Sequence, residues 1–247
     1  MCYTISYQFS GISFQLSAMI DQSRIIYEDN HLIAVNKRAG EIVQADKTGD
    51  APIGTHLKTF LKEKYNKPGE VFVGVVHRLD RPVSGVVLFA KTSKGLERMN
   101  QLFRERATKK IYWAIVEQKP VNPEGKLIHW LAKNEKQNKS YASAVEKPNH
   151  LICELDYKLI ASSERYHLLE VAPLTGRHHQ IRVQLSTMKC IIKGDLKYGA
   201  KRSNPDGSIC LHARRLEFMH PVKNEPVVIE APVPPDNLWQ AMQGMVK

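Results

Sequence analysis

His77-Arg78-Leu79-Asp80-Arg81-Pro82-Val83-Ser84-Gly85-Val86-Val87-Leu88-Phe89-Ala90-Lys91 joins two apolar runs across a short polar turn. Upstream, Val71 to Val76 reads as a strand that leads directly into His77. Downstream, Val86 to Ala90 is a second strand, apolar at every position. Short, unbroken apolar runs bounded by turn residues belong to strands covered on both faces. Between them stands one carboxylate, Asp80, flanked by Arg78 and Arg81. A loop residue that follows a buried strand is held rigidly by its scaffold, and binding and catalytic groups concentrate at such places. Taken alone, an Asp beside an Arg is more often a surface ion pair.

Working outward, Ile25-Ile26-Tyr27 and Leu32-Ile33-Ala34-Val35 flank the turn residues Glu28-Asp29-Asn30, a hairpin signal. Ala51 to Tyr65 carries Ile53, Leu57, Phe60 and Leu61 at helical spacing and stops at Asn66-Lys67-Pro68-Gly69. Ser93 is placed to cap a helix with Leu96, Met99, Leu102 and Phe103 on one face. Ile111 to Val116 suits a central strand, Asn134 to Ser140 a polar loop, and Leu151–Leu159 and Tyr166–Ala172 two further strands. Thr175-Gly176-Arg177 precedes a helix that turns Ile181, Leu185 and Met188 inward, and Pro234-Pro235-Asp236 caps a last helix bearing Leu238, Trp239 and Met242. Strands outnumber helices without alternating with them, which predicts a single α+β domain with a mixed, largely antiparallel sheet. The expected division is an N-terminal extension over residues 1–22, with alternating Tyr3, Ile5, Tyr7 and Phe9 and an alternative start at Met19, followed by the catalytic domain over 23–247.

Composition narrows the partner. Lys and Arg number 36 against 25 Asp and Glu, a net charge of +11 over 247 residues. Such a surplus favours a polyanion, because each phosphate that a cation neutralises releases a condensed counterion. Cys2, Cys153, Cys190 and Cys210 form no CxxC pair, which argues against a zinc knuckle, a redox dithiol or a disulfide framework. Of His77, His178, His179 and His212, the adjacent pair His178-His179 would point apart on a helix and has no cysteine near it in sequence, so no metal is expected. No apolar run approaches the roughly 18–20 residues of a membrane span, and the first 18 residues lack the make-up of a signal peptide. The expectation is a cytoplasmic protein without a membrane segment.

The string from His77 to Lys91 closely resembles the catalytic motif of the RluA family of pseudouridine synthases. Val35-Asn36-Lys37-Arg38-Ala39-Gly40 looks like the family's first motif, VNKPAG, and Lys109-Lys110-Ile111-Tyr112-Trp113-Ala114-Ile115-Val116 is similar to its tyrosine strand. Leu174-Thr175-Gly176-Arg177-His178-His179-Gln180-Ile181-Arg182-Val183 matches its TGRxHQIR motif. Gly194-Asp195-Leu196-Lys197-Tyr198-Gly199 and Leu211-His212-Ala213 complete the set in the family's order. The resemblance spans about residues 23 to 240. Three departures stand out: Arg38 where Pro is usual, Pro82-Val83 in place of the frequent Asp-Thr, and Gln184 where His is common. There is no room before residue 23 for the S4 RNA-binding domain of many relatives, which places recognition on the catalytic domain.

The resemblance implies an RNA pseudouridine synthase that needs no cofactor, since breaking N1–C1′, rotating the uracil and rejoining it through C5 involves no net redox change. It implies Asp80 as the catalytic carboxylate, acting on C1′, on C6 or on the 2′ proton, alternatives that the residues leave open. It implies Arg177 as the guanidinium that opposes protonation of Asp80 in a dry pocket, and Tyr112 as the ring that stacks on the uracil with its hydroxyl near C5. The target base must leave its stack, and Arg78 is expected to fill the vacated space. His77, Arg81, Gln180 and Arg182 are expected to contact substrate, with Ile181 and Leu185 as the apolar floor of the pocket. Lys109, Lys110, Lys133, Lys136 and Lys139 form the expected path for RNA backbone. The substrate is 23S ribosomal RNA or, alternatively, tRNA, taken up by a monomer. Two rivals stand against this reading. One is a catalytically silent RNA-binding or ribosome-assembly protein on the same scaffold. The other is a nucleoside hydrolase, for which only Asp195 offers a second carboxylate.

Overall fold

The computed structural model describes residues 20–246; the alternating stretch from Tyr3 to Phe9 and the alternative start at Met19 lie outside the described residues. The folded part is under way before residue 23, because Ile20 packs into the larger core and Asp21 caps a short 3-10 turn over Gln22–Arg24. Strands β1 (Ile25–Glu28) and β2 (Leu32–Lys37) form the expected hairpin. Asp29 closes it, its carboxylate accepting the N–H groups of His31 and Leu32, each at 2.7 Å.

Strand β4 (Ser84–Ala90) pairs antiparallel with β2 and is buried at every position. Leu32, Ala34, Val86 and Leu88 enter one apolar cluster, whereas Ile33, Val35, Val87 and Phe89 enter another. These two strands are therefore covered on both faces, which is why their sequences are unbroken apolar runs. Helix α1 (Ile53–Lys64) buries Ile53, Leu57, Phe60 and Leu61 as its spacing predicts. Helix α2 (Ser93–Arg104) begins one residue earlier than expected in its capping: Thr92 accepts the N–H of Gly95 at 3.0 Å.

The strand expected over Val71 to Val76 contracts to β3 (Gly74–Val75). The edge of β4 is shared: its first residues pair with β10 (Leu211–Met219) and its last two with β3. The remaining strands are β5 (Thr108–Val116), β6 (Glu124–Asn134), β7 (Lys139–Ser143), β8 (Leu151–Ser162), β9 (His167–Pro173) and β11 (Pro226–Glu230). The eleven-stranded sheet runs β1-β2-β4-β10-β5-β9-β8-β6-β7, with β11 on β10 and β3 on β4. The pairing of β10 with β4 is parallel and the other strand pairs are antiparallel, so the sheet is mixed and largely antiparallel. Helices α3 (Gln180–Thr187) and α4 (Asn237–Gly244) complete the domain; Asp236 caps α4 by accepting the N–H of Trp239.

The parallel junction sits beside Asp80 and depends on Gly85. Its φ is +113°, and a Cβ there would lie 2.6 Å from the Ala213 nitrogen and 2.7 Å from its carbonyl carbon. Only glycine permits both that backbone angle and that approach. None of the described helices is long and apolar enough to cross a membrane.

Candidate active site

Four carbonyls fix the turn that carries Asp80. The Asp80 carbonyl accepts the N–H of Val83 at 3.0 Å, that of Arg81 the N–H of Gly40 at 2.8 Å, and that of Pro82 the N–H of Ile209 at 3.1 Å. Lys37 adds the rest: fully buried, its ammonium donates to the carbonyls of Arg38 and Arg81 at 3.0 Å and to that of Val83 at 2.6 Å. Burial pushes the Lys37 ammonium down to about 8, against the pull of Glu41 and Asp80. The Arg38 departure has a use in this frame, since its N–H, which proline would lack, donates to Glu41 at 2.7 Å.

Asp80 opens into a cavity of about 540 Å³, a size ordinary for a small-molecule site. Its side chain is 31% exposed, and Oδ2 accepts from Nη1 of Arg182 at 3.0 Å. Arg182 itself is gripped by Asp195, Nε to Oδ2 at 2.7 Å and Nη2 to Oδ1 at 2.9 Å. That planar fork pre-aims the third N–H at Asp80. The expected guanidinium, Arg177, is elsewhere: its Nε faces the Ile152 carbonyl at 3.4 Å and it lines the cavity mouth. The reason is local. His179 takes a left-handed backbone, φ 53°, between the two arginines, and α3 then carries Arg182 inward.

Tyr112, on β5, faces the same cavity. Burial first, and then the Asp80 charge, push its hydroxyl well above the ordinary tyrosine range, so the phenol keeps its proton. Arg78 and Arg81 line the cavity from the Asp80 turn; Arg78 donates to Gln44 at 3.1 Å and Arg81 pairs with Asp50. Ile181 lies on the cavity wall, but Leu185, one helical turn further, is wholly inside the core and does not reach it. Leu79, Val83 and Leu211 supply the apolar wall instead.

Two expected substrate contacts make side-chain hydrogen bonds within the protein. The Gln180 amide clamps its own loop: its oxygen accepts from Thr175 Oγ1 at 2.8 Å and from the Arg177 N–H at 3.0 Å, and its nitrogen donates to the Glu154 carbonyl at 2.9 Å. His77 accepts the Leu88 N–H on Nε2 at 3.1 Å and stacks on Phe103 with ring centroids 5.2 Å apart. Burial holds it neutral, its pKa down to about 4. What His77 offers the cavity is its ring face and Nδ1–H, which has no hydrogen-bond partner among the described residues. Of the expected cationic path, Lys110 and Lys133 line the cavity, while Lys109 approaches Glu217 and Lys133 also pairs with Glu135.

Sequence reasoning weighed His179 only as a metal ligand and Asp195 only as a second carboxylate or part of a structural turn, and it missed the link of Asp195 and Tyr198 to the site. The Gly194–Gly199 turn places Asp195 under Arg182 and Tyr198 under His179. Asp195 is 1% exposed, with both oxygens on Arg182. It is not available to activate water, so it cannot serve as the second carboxylate of a hydrolase. The Gln184 departure ties α3 to β6, donating to the Leu127 carbonyl at 3.0 Å.

The model of the RNA pseudouridylate synthase family matches residues 31–187, a stretch that contains Asp80, Tyr112 and Arg182. The chain belongs to this family. The synthase is 31% identical over 228 residues to the ribosomal large subunit pseudouridine synthase C of Rickettsia prowazekii, covering 92% of this chain and 73% of that protein. It is also 31% identical to the tRNA pseudouridine synthase C of Vibrio parahaemolyticus, covering 88% of this chain and 92% of that protein. The fold of the synthase is that of human RNA pseudouridylate synthase domain containing 4, with a TM-score of 0.74 at 24% identity over 90% of this chain and 92% of that one.

Proposed function

We propose that this RNA pseudouridine synthase isomerises a uridine of large-subunit ribosomal RNA through Asp80, as a cytoplasmic monomer without a cofactor. The observation that carries the reading is the convergence of Asp80, Tyr112 and Arg182 from one chain on one cavity. The target uridine is extruded into it. Asp80 engages the nucleoside while the N1–C1′ bond breaks; the uracil turns, C5 bonds to C1′, the C5 proton leaves and N1 takes one up. Arg182 offsets the carboxylate charge within a half-buried site, where such a contact is worth more than in water. The Tyr112 ring stacks on the detached base, and its protonated hydroxyl relays the C5 proton without starting as a phenolate. The Arg78, Arg177, Lys110 and Lys133 side chains at the cavity take the flanking phosphates.

A second substrate is favoured by the likeness to the tRNA enzyme, of whose length this chain spans 92%. The two are separated by incubating purified enzyme with large-subunit transcript and with tRNA transcript, then digesting each to nucleosides. Pseudouridine in the ribosomal transcript, without free uracil, is the expected result. Conversion of tRNA alone transfers the assignment, and pseudouridine in neither transcript overturns the proposal.

A further inference from the structure

We propose that His179 is a positioning residue for the isomerisation: its Nε2–H and Arg182 together hold Asp80 Oδ2, leaving Oδ1 to face the nucleoside. This rests on Asp80 being the catalytic carboxylate. His179 Nε2 stands 3.4 Å from Asp80 Oδ2, the oxygen that Arg182 already contacts at 3.0 Å. Asp80 Oδ1 has no hydrogen bond among the described residues. A separation of 3.4 Å is long for a formed hydrogen bond, and contacts of this kind tighten once substrate excludes water.

The tautomer follows from the groups on the two sides of the ring, Tyr198 and Asp80. The Tyr198 hydroxyl accepts the Ser140 N–H at 2.9 Å and lies 3.0 Å from His179 Nδ1 and 3.2 Å from the Ser140 carbonyl, the two acceptors open to its own hydrogen. With Nδ1 taking that hydrogen, at the shorter of the two distances, the ring proton sits on Nε2, towards the carboxylate. The opposite tautomer would set a nitrogen lone pair against Asp80. A second ring proton is opposed by burial and by the adjacent Arg182 charge, which together press the His179 pKa down to about 2. His178 stacks on the ring at 3.8 Å between centroids and Tyr198 meets it edge-on at 5.6 Å, so its orientation is set. His179 occupies the cap position of α3 but makes no side-chain capping bond. Its polar atoms serve Tyr198 and Asp80 instead of the helix.

Two substitutions separate this role from a backbone role. In His179→Gln, the side-chain amide nitrogen reaches the place of Nε2 and can donate to Asp80; in His179→Asn, it reaches only the place of Nδ1. The left-handed backbone, φ 53°, favours asparagine over glutamine. With each variant's thermal midpoint checked, positioning predicts that His179→Gln keeps kcat within about tenfold of wild type. His179→Asn should lose about 10²-fold in kcat at unchanged KM. The reverse order overturns the proposal. Independently of turnover, the 15N spectrum of labelled histidine, with His179 assigned by its absence from the Gln variant, should show the proton on Nε2. A proton on Nδ1 overturns the proposal, whereas wild-type protein that makes no pseudouridine overturns the function reading instead.

Discussion

Arg182 serves two carboxylates at once, and the two contacts predict different losses. Removing it as Arg182→Met strands Asp195, which is buried and has no other cation on its oxygens among the described residues. An uncompensated buried charge costs about 3–5 kcal/mol, so urea denaturation should show a loss of that size along with loss of activity. Asp80→Asn keeps volume and polarity at a half-buried position, and should abolish turnover while moving the urea midpoint little. Arg177→Ala tests the corrected assignment. With Arg177 at the cavity mouth and away from Asp80, its loss should raise KM for RNA with kcat within about threefold; a kcat collapse at unchanged KM would restore Arg177 to the chemistry. Sequence alone left this choice open to error, because both arginines lie in one short motif. Which one turns inward depends on the left-handed His179 and on Asp195, thirteen residues beyond Arg182.

Elements decide how rigidly Asp80 is held. The Asp80 turn is pinned to the loop after β2 by Lys37 and to β10 by the approach at Gly85. Gly85→Ala would drive a methyl into the Ala213 backbone at a positive φ, and neither strand can yield without opening the sheet. That variant should unfold well below the wild-type temperature or fail to accumulate folded, as a thermal melt would show. The strands and helices that were legible have one property in common: their burial pattern is written in consecutive side chains. β2 and β4 are unbroken apolar runs because both their faces are covered, and α1 and α2 carry one clean stripe. β6, β7, β10 and β11 were not assigned. β6 is exposed or half-buried at most positions, and β10 interrupts its apolar residues with Arg214 and Arg215, so alternation is blurred. β3 shrank because β4 ends at Ala90, opposite Gly74, so that Val71, Phe72 and Val73 have no strand residue to pair with, a limit invisible in β3's own sequence.

Across the whole molecule, charge and buried histidines set the response to solution conditions. With a net charge of +11, the logarithm of RNA affinity should fall linearly with the logarithm of salt concentration, with a slope set by the number of phosphates contacted. His77 and His212 are both held neutral by burial, each with a pKa of about 4, against about 6.5 in an unfolded chain. Between those values the unfolded chain binds more protons, so stability rises with pH, by up to about 1.4 kcal/mol per pH unit for each histidine. Urea unfolding should therefore weaken steadily from pH 6.5 towards 4. Glu28, held down to about 2 by Lys64, Lys91 and Tyr65 against its burial, adds its loss only at lower pH. A flat profile between pH 6.5 and 4.5 would contradict the buried, neutral state of these rings.

The central claim is that this chain makes pseudouridine through Asp80. It is tested most directly by mapping pseudouridines in total RNA, by carbodiimide labelling and primer extension, from cells lacking the gene and complemented with wild type or with Asp80→Asn. A position in large-subunit ribosomal RNA should be lost on deletion, restored by wild type and not restored by Asp80→Asn. Restoration by both proteins, or no position that changes, would contradict it.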